Sequence, residues 1–392
     1  MMELIANGLV GHLPWYGYVL VALAFTHITI AGVTIYLHRH QAHRALELHA
    51  IPSHFFRFWL WLTTGMITKE WAAIHRKHHA KCETAEDPHS PQVLGIKKVF
   101  FEGAELYRAA RKQRDTMDKY GSGTPEDWIE HKLYTPHSGL GIYLMLAVNL
   151  ILFGPIGLTI WAVQMAWIPI TAAGIINGIG HYWGYRNFTC EDASTNVFPW
   201  GILIGGEELH NNHHAYGSSA KLSNKWFEFD IGWFYIRTME IVGLAKVKKI
   251  APTAKFNTAK QVCDHDLLNA VITHRYDVLT RYARTVKATY GVELDKIASS
   301  LPNGNFEKLK SWLHLDAADL GDAEKTKLAE VLKQSHALNT IYTMRQELSQ
   351  LWARSNASKE QLLKQLQDWC HRAESSDISS LQTFSHKLRS YA

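Results

Sequence analysis

The sequence predicts an all-α fold: an integral-membrane helical bundle, a histidine-rich cap on its cytoplasmic side, and a soluble helical tail. Three observations predict it. Residues 4–38 and 133–185 contain no Asp, Glu, Lys or Arg, and such runs are long enough to cross a bilayer. Histidines recur at helical spacing, in His75–Arg–Lys–His78–His79 and again in His210–Asn–Asn–His213–His214. Beyond about residue 245 the composition turns charged and helix-friendly, like an ordinary soluble domain. The chain therefore divides into a membrane part, 1–245, and a tail, 246–392.

The first apolar stretch, Trp15 to Leu37, is long enough to span with some tilt. Basic residues follow at once: Arg39, Arg44, Arg57, Lys69, Arg76 and Lys77. The positive-inside bias puts that side in the cytoplasm and the N-terminus outside. His27 stands within the span and needs a hydrogen-bonding partner in the bundle. Phe55–Ile67 is apolar, but it is short and interrupted by Arg57. It reads as an interfacial or re-entrant segment, because one crossing there would separate the histidines on either side of it.

A turn-rich loop, Glu83–Thr–Ala–Glu–Asp87–Pro–His89–Ser–Pro, follows the first triplet. Residues 97–114 then carry Lys97, Lys98, Arg108, Arg111, Lys112 and Arg114 on an amphipathic pattern. That pattern fits a solvated face near anionic lipid or a platform for a phosphate-bearing group. Gly154–Pro155 breaks the second uncharged run into two spans, about 138–154 and 156–180. Asn177 and His181 lie four residues apart at its cytoplasmic exit. Ala251–Thr258 reads as a linker. In the tail, Asp266–Lys287, Thr326–Ala353 and Ser358–Glu374 have amphipathic helical spacing, and Pro302–Asn–Gly–Asn marks a turn.

Charge and cysteine usage exclude some classes. A net charge of +5 with no basic–aromatic stripe and no recognisable motif argues against nucleic acid as a partner. Cys82, Cys190, Cys263 and Cys370 are widely separated, which fits free thiols in a reducing compartment. The first apolar run is too long for a cleavable signal peptide.

The histidines carry the chemistry. Residues at i, i+3 and i+4 share one helical face, so each triplet can converge its imidazoles on one point. With 23 histidines in the chain, roughly 0.1 such triplets are expected by chance. A third, looser pair is His38 and His43. Surface or pH-sensing histidines would not need this repeated spacing. The zinc-protease pattern HExxH is absent. Glu207–Glu–Leu–His210 supplies only one Glu-x-x-His pair, where soluble di-iron bundles use two. An all-imidazole set at a membrane face suits iron, with copper or zinc as alternatives.

These residues resemble the three histidine boxes of the membrane acyl-CoA desaturases, the stearoyl-CoA or delta-9 desaturase family. The match extends to Glu70–Trp71 before the second box, Thr84 and Asp87–Pro–His–Ser after it, Gly206–Glu207 before the third, and Asn177-xxx-His181 followed by Gly184–Tyr–Arg. It covers roughly residues 15–245, and the tail is similar to that of bacterial members. The resemblance implies two iron ions per chain, held by His38, His43, His75, His78, His79, His181, His210, His213 and His214, with Asn177 acting through a water. It implies O2-dependent insertion of a cis double bond into a long saturated acyl chain, carried on CoA or phospholipid. The expected setting is a multi-pass bacterial inner-membrane protein with its active site on the cytoplasmic side. No cytochrome b5 signature is present, so electrons would come from a separate ferredoxin or flavin/iron–sulfur reductase. Two departures stand out. The segment before the first box is too short for the extra helix of animal members, and small Ala173–Gly174 stand where bulkier tunnel residues are expected. Two rival readings are a hydroxylase of the same superfamily and a non-catalytic metal-binding membrane protein.

Overall fold

The computed structural model describes residues 2–10, 12–297, 309–310, 312–313, 320–353 and 356–392. The turn expected at Pro302–Asn305 lies outside them. The chain is mostly helical and separates into two compact units: residues 1–187 with 192–251, and residues 188–191 with 252–392.

In the first unit, α1 (Met2–Asn7) precedes α2 (Trp15–Ala31), which begins after Pro14 and runs without a break into a π-helix, Gly32–Ala42. Together Trp15–Ala42 form one of two helices among the described residues that are long and apolar enough to cross a membrane. His27 within it meets the Tyr235 hydroxyl at 2.7 Å, which supplies the partner that a polar group at such a site requires.

Next come β1 (Leu46–Leu48), α3 (Ala50–Thr64) and α4 (Thr68–Lys81). Arg57 on α3 is buried, and its charge is matched by Glu130 at 2.8 Å and Asp127 at 2.7 Å. Buried ions persist only with such pairing. α5 (Pro91–Leu94), α6 (Ile96–Ala110) and α7 (Arg114–Tyr120) lead to the apolar hairpin of α8 (Ser138–Phe153) and α9 (Ile156–Ile168). Its turn needs Gly154, whose φ is +62° and where a Cβ would sit 2.9 Å from the Ala6 carbonyl. α9 continues through a π-helix, Pro169–Ile176, to a 3-10 turn at Ile179–His181. Ile156–His181 is the second long apolar helix, whereas α8, at 16 residues, is shorter.

Two short ladders depart from the all-helical expectation. β2 (Trp200–Gly201) pairs in parallel with β3 (Phe229–Asp230), which flanks α10 (His210–Ala215) and leads into α11 (Ile231–Ile241). β4 (Ala245–Val247) pairs antiparallel with β1, Leu46 against Val247. Each strand is only two or three residues long, too short for an alternating apolar pattern to show in the sequence.

The second unit contains α12 (His265–Thr273), α13 (Arg275–Ile297), α14 (Asp322–Leu332), α15 (His336–Gln350), α16 (Lys359–Ser375) and α17 (Ser379–Leu388). Its core centres on Tyr282, Leu338, Trp369 and Phe384. The single helix expected over Thr326–Ala353 is two. Ser335 accepts a hydrogen bond from the Leu338 amide and starts a new helix there, because a serine cap satisfies an otherwise orphaned N–H.

Candidate metal centre

Four places on the chain deliver the histidines. His38 and His43 are five residues apart, which in an α-helix would leave them about 140° apart around the axis. The π-helix corrects this. The His43 amide donates to the His38 carbonyl at 3.0 Å, an i to i+5 bond, and the two ring centroids lie 4.9 Å apart. Such wide turns are frequent at functional sites. α4 presents His75, His78 and His79 on one face, and α10 presents His210, His213 and His214. The π-helix Pro169–Ile176, closed by the Asn177 amide on Ala172, delivers His181 on the turn that follows it.

All nine rings meet. His38, His43, His75, His79 and His213 place one nitrogen each within 4.8 Å of one another. Nε2 of His213 lies 3.0 Å from that of His38 and 2.8 Å from that of His79, and His43 and His75 approach to 2.8 Å. A second group contains His78, His181 and His214, with Cys82 beside them. Nε2 of His181 lies 3.1 Å from that of His78 and 3.0 Å from that of His210. His40 is elsewhere, with its Nδ1 on the Leu46 carbonyl.

The ring protons show what these nitrogens are for. His78 Nδ1 bonds Asp87 at 3.0 Å, His181 Nδ1 faces Glu83 at 3.2 Å, His214 Nδ1 bonds Asp192 at 2.9 Å, and His38 Nδ1 bonds Glu207 at 2.7 Å. A carboxylate only accepts, so each of these Nδ1 atoms carries the proton. In a neutral ring the lone pair is then on Nε2. The lone pairs of His78 and His181 therefore face each other across 3.1 Å, and the buried Nε2 of His214 has no protein partner. That arrangement is repulsive unless a cation lies between the rings. A metal ion held by these nitrogens would relieve that repulsion, and neutral imidazole is its commonest protein ligand. Each carboxylate also fixes its ring's orientation and raises its basicity.

Burial favours the neutral form of several of these rings. It pushes His75, His79, His210, His213 and His214 well below the usual imidazole range, and the surrounding imidazoles push in the same direction. Burial alone would raise the Asp87 carboxyl, but the hydrogen bonds donated by His78 Nδ1 and by the His89 amide oppose it, and Asp87 is held below the usual carboxylate range.

A cavity of about 340 Å³ adjoins the rings. Arg108, Arg111, His75, Asn177, Gln164 and Ile168 are among the residues that line it. A smaller cavity of about 40 Å³, lined by His38, His210 and Ile204, shares Trp71, His75 and Asn177 with the larger. The small residues at 173–174 let α6 pack closely. A Cβ on Gly103 would come within 2.7 Å of the Ala173 Cβ.

The fold and site together define a class: helical proteins with long apolar helices and clustered imidazoles beside an apolar cavity. A family model described as fatty acid desaturase matches residues 13–220, just over half of the chain, and the chain belongs to that family. Delta-9 acyl-lipid desaturase 2 of Arabidopsis thaliana is 28% identical over 247 residues, covering 60% of this chain and 76% of that protein. Delta-9 desaturase-like 4 protein of the same plant is 29% identical over 241 residues, with 60% and 76% coverage. Acyl-CoA C20 Delta5-desaturase of Anemone leveillei is 27% identical over 234 residues, with 56% and 70% coverage. Residues 256–392 match a second family model, described as transposase.

The histidine spacing does not reveal the four carboxylates. Glu83, Asp87 and Glu207 at least flank the boxes. Asp192 lies in a loop with no signal that could have found it. Glu207, read in the sequence as part of a Glu-x-x-His pair, turns instead to His38 Nδ1 and to the Thr34 hydroxyl.

Proposed function

We propose that this desaturase is a membrane di-iron enzyme that inserts a cis double bond, at the delta-9 position, into a long saturated acyl chain, with acyl-CoA as the carrier. The observation that carries the reading is the set of opposed, unprotonated Nε2 atoms of His78, His181 and His214, each ring held from behind by a carboxylate. His38, His43, His75, His79 and His213 would hold one iron. His78, His181, His210 and His214 would hold the other, with Asn177 acting through a water. Bound there, iron supplies the O2-dependent oxidising power that an unactivated C–H bond requires.

The chain's own residues bind, orient and exclude water. The apolar cavity takes the acyl chain beneath His75 and Asn177. Arg108 and Arg111 suit the anionic end of an acyl carrier. Trp71, stacked on His75 with centroids 4.9 Å apart, shields the rings and fixes their distance from the substrate. Two electrons come from a separate ferredoxin or flavin/iron–sulfur reductase. The enzyme is multi-pass in a bacterial inner membrane, its histidines face the cytoplasm, and catalysis resides in residues 1–245, with 246–392 as a separate tail. The relatives include proteins named for acyl-lipid and for acyl-CoA substrates. The arginines on the cavity wall favour CoA.

A fatty-acid profile, with double-bond location, of a host given this protein and a suitable reductase tests the reading. New delta-9 alkenes are expected. Hydroxy acids without new alkenes would replace desaturation by hydroxylation, and an unchanged profile with altered metal tolerance would replace catalysis by metal binding.

A further inference from the structure

Two sulfurs in the second unit have no part in the proposed function. Cys263 stands in the irregular segment just before α12, and Cys370 stands on α16, 107 positions further along the chain. Both are free thiols, and both are buried, at 3% and 0% exposed. Their Sγ atoms lie 3.7 Å apart. Thiols in contact need only small side-chain rotations to reach bonding distance, whereas distant cysteines need the backbone to move. Backbone bonds hold the two in place. Gln367 Nε2 of α16 donates to the Cys263 carbonyl at 2.9 Å. The Lys260 amide donates to the Arg389 carbonyl at 3.0 Å. The Arg389 guanidinium, just past α17, bonds Glu374 of α16 and turns back onto the Lys260 and Gln261 carbonyls. Residues 260–263 are thereby tied to both helices.

The two thiols are not equivalent. A hydrogen bond from Cys370 and the nearby Arg389 guanidinium favour the Cys263 thiolate and bring that thiol down to about 7, although burial and the Glu374 and Asp264 carboxylates oppose them. The same hydrogen bond and burial push the Cys370 thiol up. One sulfur is thus a nucleophile, and the other is a protonated neighbour in contact with it. Cysteine packed only as a small apolar residue needs neither a cation beside it nor this asymmetry, whereas oxidation of a thiol pair uses both. Val262, next to Cys263, is 70% exposed, so a small oxidant reaches the sulfur by local opening of an irregular segment.

We propose that Cys263 and Cys370 are a site of reversible oxidation, forming a disulfide on exposure to hydrogen peroxide that staples the start of the tail to α16. The Cys263 sulfur attacks one peroxide oxygen. The O–O bond breaks, a sulfenic acid is left on Cys263, and the other oxygen departs as water with the thiol proton. The Cys370 sulfur then attacks the sulfenic sulfur. The S–O bond breaks, and a second water leaves with the Cys370 proton. The two thiols give up two electrons and two protons, the peroxide takes them, and one disulfide and two waters result. A dithiol reverses the bond by exchange. Closing a loop of 107 residues restricts the unfolded chain, so the oxidised tail is the more stable form. The inference is independent of the desaturase reading.

The test uses the full-length protein in detergent, purified reduced and then exposed to hydrogen peroxide. Remaining thiols are alkylated, and the peptides are mapped by mass. A peptide pair joined through Cys263 and Cys370 is expected, lighter by the two thiol hydrogens, and dithiothreitol should separate it. The melting transition of the tail should rise by about 10 °C on oxidation and return on reduction. In Cys370→Ala, dimedone should trap a sulfenic acid on Cys263. In Cys263→Ala, Cys370 should remain a thiol. Both variants should lose the melting shift, and the wild-type peptide map decides the pairing whether or not they fold. No joined peptide at a peroxide dose that oxidises the partly exposed Cys82 overturns the pairing. A joined peptide with an unmoved transition overturns the staple, and dimedone trapping on Cys370 in place of Cys263 overturns the order of attack.

Discussion

The two units bury opposite chemistries. The interior of the second unit is conventional. Leu267, Tyr282, Leu338, Trp369 and Phe384 are all 1% exposed or less, and the buried polar tips find backbone partners, Tyr282 on the Ile341 carbonyl and Trp369 on the Met344 carbonyl. The first unit fills its centre with His38, Arg39, His78, Asp87, His213 and Asn212, all nearly inaccessible. Burying such groups opposes folding unless each is paired. Carboxylates pair the backs of His38, His78, His181 and His214, and the fronts remain for a cation. The second unit is built for stability, and the first gives up stability to hold a reactive centre.

The largest expected effect comes from breaking the front of the cluster. His78→Ala should abolish desaturation and lower bound iron, and full activity in that variant would remove the metal assignment. Next is the back of the same ring. Asp87→Ala should weaken metal affinity by about 10–100-fold while leaving the protein folded; a metal titration checks it, and unchanged affinity would reduce Asp87 to a loop residue.

The contrast between the interiors predicts a third result. Phe384→Ala should destabilise the second unit by about 3–5 kcal/mol without changing iron content, as measured by melting and metal analysis on the same sample. A fourth is pH dependence. Buried rings such as His75, His79 and His213 have folded-state values below the usual imidazole range. The unfolded chain therefore takes up more protons as pH falls through about 6.5. Metal-free protein should lose melting temperature between pH 7.5 and 5.5, and metal-loaded protein, which melts higher, should lose at least as much over that range because its ligands must stay unprotonated. A flat profile would mean that the rings are hydrated. The smallest effect is expected from deleting residues 255–392, which should leave iron binding unchanged in a folded, membrane-inserted protein.

Some features are legible in one dimension because they are local. The His75 and His210 triplets declare a shared face through helical spacing alone, and the uncharged runs mark apolar helices by length. The pair His38 and His43 is less legible. Five-residue spacing puts two rings on one face only if the helix widens, and nothing in Gly32–Ala42 announces that it does. The break at Ser335 is a similar case, since a serine within an amphipathic pattern reads equally well as a surface position.

By itself, then, the sequence determined that imidazoles would be presented in sets, that apolar helices would carry them, and that a differently composed tail would follow. Only the tertiary structure decided which rings oppose which and that Asp192 stands behind His214. The reason is range. Helical periodicity acts over a few residues, whereas a proton's place on an imidazole is set by whichever carboxylate the fold brings to its other nitrogen, 169 positions away for His38 and Glu207.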